Sequence, residues 1–376
     1  MANTKIWLSS PHMGGTEKKY IDEAFESNWV APLGPNVNGF EKDLELYLGE
    51  NSHVGALSSG TAAIHLSLIL LNVKKGDEVI CQSMTFSATA NPIIYQGAIP
   101  IFIDSEKDTW NMCPNSLEIA IKDRIKKGIK PKAIIIVHLY GMPCKIEEIR
   151  KIADQYEIPI IEDSAEALGS SYKYKKCGTF GDISILSFNG NKIITTSGGG
   201  AIVTKDKLLK EKAIFLATQA RDQAIHYQHS EIGYNYRMSN ICAGIGRGQM
   251  EVLENHINLR RKMHSFYQEI FESYSDIKLL KEPNSDYFSN YWLSTITLNH
   301  KTKNSNELRI LLDQENIESR PLWKPMHLQP IFNNAPYYGS NIAETLFHNG
   351  LCLPSGSNLL DSEKERIKKC LIQFTN

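Results

Sequence analysis

Lys192 closes the run Ser187-Phe188-Asn189-Gly190-Asn191-Lys192. It stands behind the apolar stretch Ile183-Ser184-Ile185-Leu186 and ahead of Thr195-Thr196-Ser197-Gly198-Gly199-Gly200. An amine at the end of a rigid element, beside small residues that let backbone approach a ligand, can condense with an aldehyde to a Schiff base. A lysine at a strand end is more often a solvated surface group, so the chemistry needs partners elsewhere. Ile158-Pro159-Ile160-Ile161-Glu162-Asp163 reads as a buried parallel strand with Asp163 at its carboxyl end, where ligands of open α/β sheets bind. A carboxylate there can hold a pyridinium nitrogen protonated, as expected for pyridoxal 5′-phosphate (PLP). It can equally cap the helix that starts at Ser164. Ser58-Ser59-Gly60-Thr61-Ala62-Ala63 is a small-residue turn entering an apolar helix. Free amides and the helix dipole make such an end an anion site, or simply a well-capped helix. No Gly-Lys-Ser/Thr follows, so it is not a P-loop.

These three elements, in this order, resemble the DegT/DnrJ/EryC1/StrS family of sugar-nucleotide aminotransferases. Further runs carry the resemblance over almost the whole chain: Leu8-Ser9-Ser10-Pro11-His12-Met13-Gly14-Gly15, Ala31-Pro32-Leu33-Gly34, His138-Leu139-Tyr140-Gly141, Glu162-Asp163-Ser164-Ala165-Glu166-Ala167, Gly233-Tyr234-Asn235-Tyr236-Arg237 and Leu353-Pro354-Ser355-Gly356. Phe188-Asn189-Gly190-Asn191-Lys192-Ile193-Ile194-Thr195-Thr196 and Arg320-Pro321-Leu322-Trp323-Lys324-Pro325-Met326-His327 are most similar to family members that aminate C4 of a UDP-linked sugar in bacterial glycosylation.

The resemblance implies PLP as cofactor and the aspartate aminotransferase fold (fold type I): an α/β large domain with a mostly parallel seven-stranded sheet, and a smaller C-terminal α+β domain. It implies that Lys192 forms the Schiff base and moves protons as general base and acid. Family members with His at this position dehydrate sugars, so Lys192 points to amine transfer. Asp163 would pair with the pyridinium, and Glu166, one helical turn on, would stand near the phenolic oxygen, unless it only satisfies a helix-turn amide. Gly60, Thr61 and Ala62, with the Ser187 hydroxyl, would hold the phosphate. Phe86 would stack on the pyridine ring. Asn235 would reach the phosphate of a neighbouring subunit, making a homodimer with shared active sites; the bland reading is a turn Asn. For substrate, the resemblance points to Asn28, His138, Tyr140, Asn189, Asn191, Arg237, Arg320, Trp323 and His327, with Arg suited to pyrophosphate and aromatic rings to uracil. His327 beside Trp323 is equally readable as packed core. The implied substrates are a UDP-linked 4-keto-6-deoxy amino sugar and L-glutamate. Alternatives are another nucleotide sugar (a dTDP-sugar or the C4 epimer), another PLP chemistry on the same fold type, and a non-catalytic PLP-binding regulator.

Composition agrees with an enzyme of this size. The 376 residues are 42% hydrophobic and 22% charged, enough for a large core and about two domains. A formal charge of −1 shows no basic excess for nucleic acid or an anionic membrane. The seven cysteines are scattered without a C-x-x-C pair, which argues against a disulfide framework or a zinc site and for a cytoplasmic enzyme. No signal peptide and no spanning segment is expected.

The elements that must position these residues follow from periodicity. Apolar runs at 77–81, 99–103, 132–138, 158–162, 183–188 and 200–204 alternate with helical patterns at 61–72, 87–96, 145–156 and 205–216, which means a mostly parallel sheet covered on both faces. Residues 16–28 and 40–48 read as helices, with 29–39, carrying two prolines, as a loop. Residues 240–275 form one long helical run. A boundary near 250 divides a large PLP-binding domain (1–250) from a small domain (251–376) that includes the strand YWLSTITL.

Overall fold

The apolar runs of the first two hundred residues make a sheet because each is short, rich in Ile, Val and Ala, and buried on both faces. In the computed structural model, which describes residues 4–300 and 302–375, His53–Leu57, Gly200–Thr204, Ile183–Ser187, Ile160–Asp163, Ala133–Val137, Glu78–Gln82 and Ile99–Ile103 lie side by side in that order. Neighbours from Ile183–Ser187 to Ile99–Ile103 pair in parallel, and Gly200–Thr204 runs against both of its neighbours. A two-residue strand, Tyr337–Tyr338, adds in parallel to Ile99–Ile103. The expected seven strands therefore become eight, the last too short to leave a periodic signal.

Alternate residues face opposite layers. Val79, Cys81 and Ile135 pack under helices Gly60–Leu70, Ser87–Tyr95 and Lys207–Ala217, whereas Ile80, Ile134 and Ile136 pack under Pro114–Lys126 and Ile146–Gln155. The parallel strands put Gln82, Val137, Asp163 and Ser187 at one edge of the sheet, and the site forms there.

Two boundaries differ from expectation. The helix expected from residue 40 starts at Pro35. Proline at the first helical position loses no hydrogen bond and brings a suitable φ, so here a proline starts a helix rather than prolonging a loop. The expected strand YWLSTITL pairs only over Ser294–Leu298. Tyr291 has φ 47°, which turns Tyr291 and Trp292 out of the ladder.

The C-terminal part is an antiparallel four-stranded sheet in the order Ile277–Leu279, Ser294–Leu298, Gly350–Leu353 and Arg320–Pro321. Helices Ser305–Gln314 and Asp361–Thr375 cover it with the end of the 32-residue helix Asn240–Phe271. That helix spans both parts, and residue 250 falls inside it. The N-terminal segment returns to this second part: Ile6 pairs with Ile317 and is buried among Met263, Leu308 and Leu351. No helix among the described residues is long and apolar enough to cross a membrane.

Candidate active site

Three strand ends and one helix start converge on a cavity of about 310 Å³, within the range of small-molecule sites. Asp163, at the end of Ile160–Asp163, is buried on its floor. Its Oδ2 accepts from the Thr89 hydroxyl at 2.8 Å and its Oδ1 from the Ala165 amide at 3.1 Å. Burial raises its pKa above the usual carboxylate range, against the pull of these donors and of Lys192. Such a carboxylate is under-compensated and favours a cation in the cavity.

Lys192 lies across from it, its side chain mostly buried. Its Nζ stands 3.6 Å from Glu166 and 4.1 Å from the centroid of the Trp292 ring. Glu166 is held by the Tyr140 amide at 2.6 Å, and burial raises its pKa too. On the opposite wall the helix Gly60–Leu70 begins. The Ser59 hydroxyl accepts from the Ala62 amide at 3.0 Å, and the first intrahelical bond runs from Ala63 to Ser59. The Gly60 and Thr61 amides precede it and have no acceptor among the described residues. A Cβ on Gly60 would stand 3.1 Å from Ser187 Cβ, closing the gap between the helix start and the Ser187 hydroxyl.

The expected residues divide cleanly. Gly60, Thr61, Phe86, Asp163, Glu166, Ser187, Asn189, Asn191, Lys192 and Trp323 line the cavity. Ala62 does not, and its amide is already used by Ser59. His138 is buried away from the cavity, bonded to Glu162 at 2.8 Å and to the Cys144 amide at 3.0 Å. Tyr140 sits behind the wall, its hydroxyl accepting from the Trp323 amide at 2.8 Å. His327 bonds Ser83 at 2.7 Å and stacks on Tyr337. Arg237 is paired with Glu41 at 2.5 Å and with the Ala56 carbonyl, and Arg320 with Glu318 at 2.8 Å. Asn28 and Asn235 are exposed outside the cavity. Thr89 and Trp292 are among the lining residues that had not been singled out. Thr89 stands three residues after Phe86 on one helix, a spacing that was legible. Trp292 follows a backbone turn that no periodicity reveals.

Beneath the floor, Glu162 accepts three hydrogen bonds on each oxygen. Oε1 takes His138, Ser164 and the Gly178 amide; Oε2 takes the Phe180 and Gly181 amides and Ser184. The Glu162, His138 and Cys177 ligand atoms lie within 4.8 Å of one another. A metal would have to displace these bonds, because the carboxylate is saturated and His138 Nδ1 accepts from the Cys144 amide. Although burial opposes its charge, the His138 partner and these donors pull the Glu162 pKa down to about 2. The folded pKa is the lower one, so its stabilisation is in place above the ordinary carboxylate range and is lost as pH falls through about 2. Glu162→Gln is expected to cost about 3–5 kcal/mol in urea unfolding at neutral pH, because the amide nitrogen that replaces one oxygen faces three donors that then lose their acceptor. The loss should shrink on acidification.

Residues 11–372 match the model of the DegT/DnrJ/EryC1/StrS aminotransferase family. The chain belongs to that family. It is 52% identical over 374 residues to EpsN of Bacillus subtilis (strain 168), whose name describes a pyridoxal phosphate-dependent aminotransferase, with 98% of this chain and 96% of the relative covered. GDP-perosamine synthase of Escherichia coli O157:H7 is 39% identical over 372 residues, covering 98% of each chain. The PLP form of Spr1654 from Streptococcus pneumoniae, described as a sugar aminotransferase, superimposes with a TM-score of 0.90 at 26% identity over 99% of each chain. As a DegT/DnrJ/EryC1/StrS member, the protein is a PLP-dependent aminotransferase acting on sugars.

The residues of the cavity fit that cofactor. The two free amides and the Ser187 hydroxyl can take a phosphate where Gly60 leaves room, and the under-compensated Asp163 can take a protonated ring nitrogen. When bound, PLP supplies the aldehyde for amine exchange and the electron sink of its ring. The chain supplies the rest. Asp163 would keep a proton on the ring nitrogen. Glu166 and Trp292 flank the Lys192 amine, which would take and return a proton at a substrate carbon. Phe86 and Trp323, with ring centroids 5.6 Å apart, wall one side.

Proposed function

We propose that the protein moves an amino group from L-glutamate to C4 of UDP-4-keto-6-deoxy-N-acetylglucosamine, giving UDP-4-amino-4,6-dideoxy-N-acetylglucosamine. The observation that carries this reading is that one cavity joins the lysine and its acids to the side-chain amides of Asn189 and Asn191 and to the Phe86–Trp323 pair. Amides suit sugar hydroxyls and an acetamido group, and the half-buried Trp323 ring suits a uracil while Phe86 would face the pyridine ring. A second reading, a GDP-linked keto sugar, is favoured by the name of the Escherichia coli relative. The two share the reaction and differ in the nucleotide.

We further propose that the active enzyme is a homodimer in which Asn235 completes the partner's phosphate site. Asn235 is exposed outside its own cavity. The large apolar side chains of Ile225, Tyr227 and Ile232 nearby, and of Trp29, Val30 and Leu33, are also exposed, as expected of an association surface.

The test is single-turnover amine transfer. Enzyme converted with L-glutamate to its aminated cofactor form is mixed with UDP-, GDP- and dTDP-linked 4-keto-6-deoxy sugars. Return of the visible absorption of lysine-bound PLP should be fastest with the UDP-N-acetyl sugar. Faster return with a GDP-sugar would replace the first reading by the second. Mixing Lys192→Ala with Asn235→Ala chains checks sharing: two inactive preparations should recover activity together, and no recovery after subunit exchange would end that claim.

A further inference from the structure

The backbone around Lys192 is gripped from outside the sheet that carries it. The Asn191 carbonyl oxygen accepts two hydrogen bonds, from the Trp292 indole N–H at 2.7 Å and from the Ser9 hydroxyl at 2.7 Å. A carbonyl has two lone pairs, so this one is filled. Arg260 stands behind both donors. Its Nη1 donates to the Trp292 carbonyl at 2.7 Å, and its Nη2 to Ser9 Oγ at 3.0 Å and to the Lys192 carbonyl at 3.5 Å. Arg260 is 1% exposed, and its guanidinium has no carboxylate partner among the described residues and leaves its Nε unpaired. A buried cation without a counter-ion is costly unless acceptors surround it, and here they are the carbonyls of Trp292, Ser355 and Lys192 with the Ser9 hydroxyl. Trp292 reaches further: its ring face lies 4.1 Å from Lys192 Nζ. Its own backbone is tied to the acid opposite, since Asn290 Oδ1 accepts from the Trp292 amide at 2.8 Å and Asn290 Nδ2 donates to the Glu166 carbonyl at 2.9 Å.

We propose that Ser9, Arg260 and Trp292 are positioning residues for Lys192, a clamp that fixes the Asn191–Lys192 carbonyls so that the amine is held ready before the cofactor arrives. Ser9 comes from the N-terminal segment, Arg260 from the long helix and Trp292 from the approach to the C-terminal sheet. The lysine's aim therefore depends on how the two parts of the molecule pack, and not only on the strand before it.

The test separates aiming from general stability. Trp292→Phe keeps a ring and removes the N–H; Ser9→Ala removes the hydroxyl. Each leaves the Asn191 carbonyl one donor, and the double variant leaves it none. PLP binds with condensation of its aldehyde and the Lys192 amine, releasing water. Pyridoxamine 5′-phosphate has no aldehyde and binds without that bond. Affinities of the cofactor-free protein for both are measured by titration. Each single variant is expected to lose at most about threefold in PLP affinity and the double variant about tenfold, with pyridoxamine phosphate affinity unchanged within about twofold. In a Lys192→Ala background the double change should move neither affinity. Equal losses for the two ligands, or a double variant that keeps full PLP affinity, would overturn the proposal. It rests on the family's cofactor and not on the sugar, so it stands or falls apart from the substrate assignment.

Discussion

Lys192→Ala is expected to lower amine transfer roughly 10³-fold or more while leaving the fold intact. The amine is the one group in the cavity placed to bond the aldehyde and then to shuttle a proton. Glu166 is 3.6 Å from it but is held by the Tyr140 amide and is not free to replace it. The variant should still bind PLP through Asp163 and the Gly60–Thr61 amides, without the absorption band of lysine-bound cofactor. Each glutamate half-reaction should stall with substrate retained, as read by rapid mixing and by mass of the trapped species. Normal turnover would remove Lys192 from the mechanism.

Asp163→Asn is the second large effect, and it carries two signs. Replacing the carboxylate removes the charge that keeps the ring nitrogen protonated, and the loss of one pre-organised electrostatic partner in a water-poor site typically costs 10²–10³-fold in turnover. Stability should move the other way. Burial raises the Asp163 pKa in the fold, so its ionised form opposes folding at neutral pH, and that cost is relieved as the pH falls through the raised folded value. An uncharged Asn avoids the cost. The cofactor-free variant is expected to unfold at higher urea than the parent at neutral pH, with the difference narrowing in acid. Cofactor affinity of the parent should fall on acidification as Asp163 protonates, and the variant should lack this dependence. A variant both less stable and equally pH-dependent would show that Asp163 is a structural cap and not the cofactor's partner.

The gain in stability on losing a working residue is the expected signature of a site held against its own folding preference. Glu162, the next residue on the same strand, shows the contrast. Its side chain points to the other side and finds six donors, so its charge supports the fold. Adjacent carboxylates on one strand thus carry opposite free-energy signs, because strand geometry sends them to opposite faces.

What the chain determined by itself is local. The sheet was legible because Ile134, Ile135 and Ile136 and their counterparts are continuous apolar runs between helical patterns. Lys192, Asp163 and the Gly60–Thr61 turn were legible because each lies at the end of such a run, where parallel topology collects strand ends at one edge. Thr89 was within reach for the same reason, on a helix already recognised. Tertiary structure decided the rest. Arg237, Arg320 and His138 look like free functional groups in sequence, yet the two arginines are paired with Glu41 and Glu318 and the imidazole is hydrogen-bonded to Glu162. The first of those partners lies 196 residues away, and spacing along a chain carries no information about such a contact. Trp292 was read as part of a strand until the backbone turn at Tyr291 released its ring toward Lys192 and its N–H toward Asn191. Periodicity reports which face of an element is buried. Which distant group meets that face is set by packing between elements, and the aim of the lysine belongs to that second kind of information.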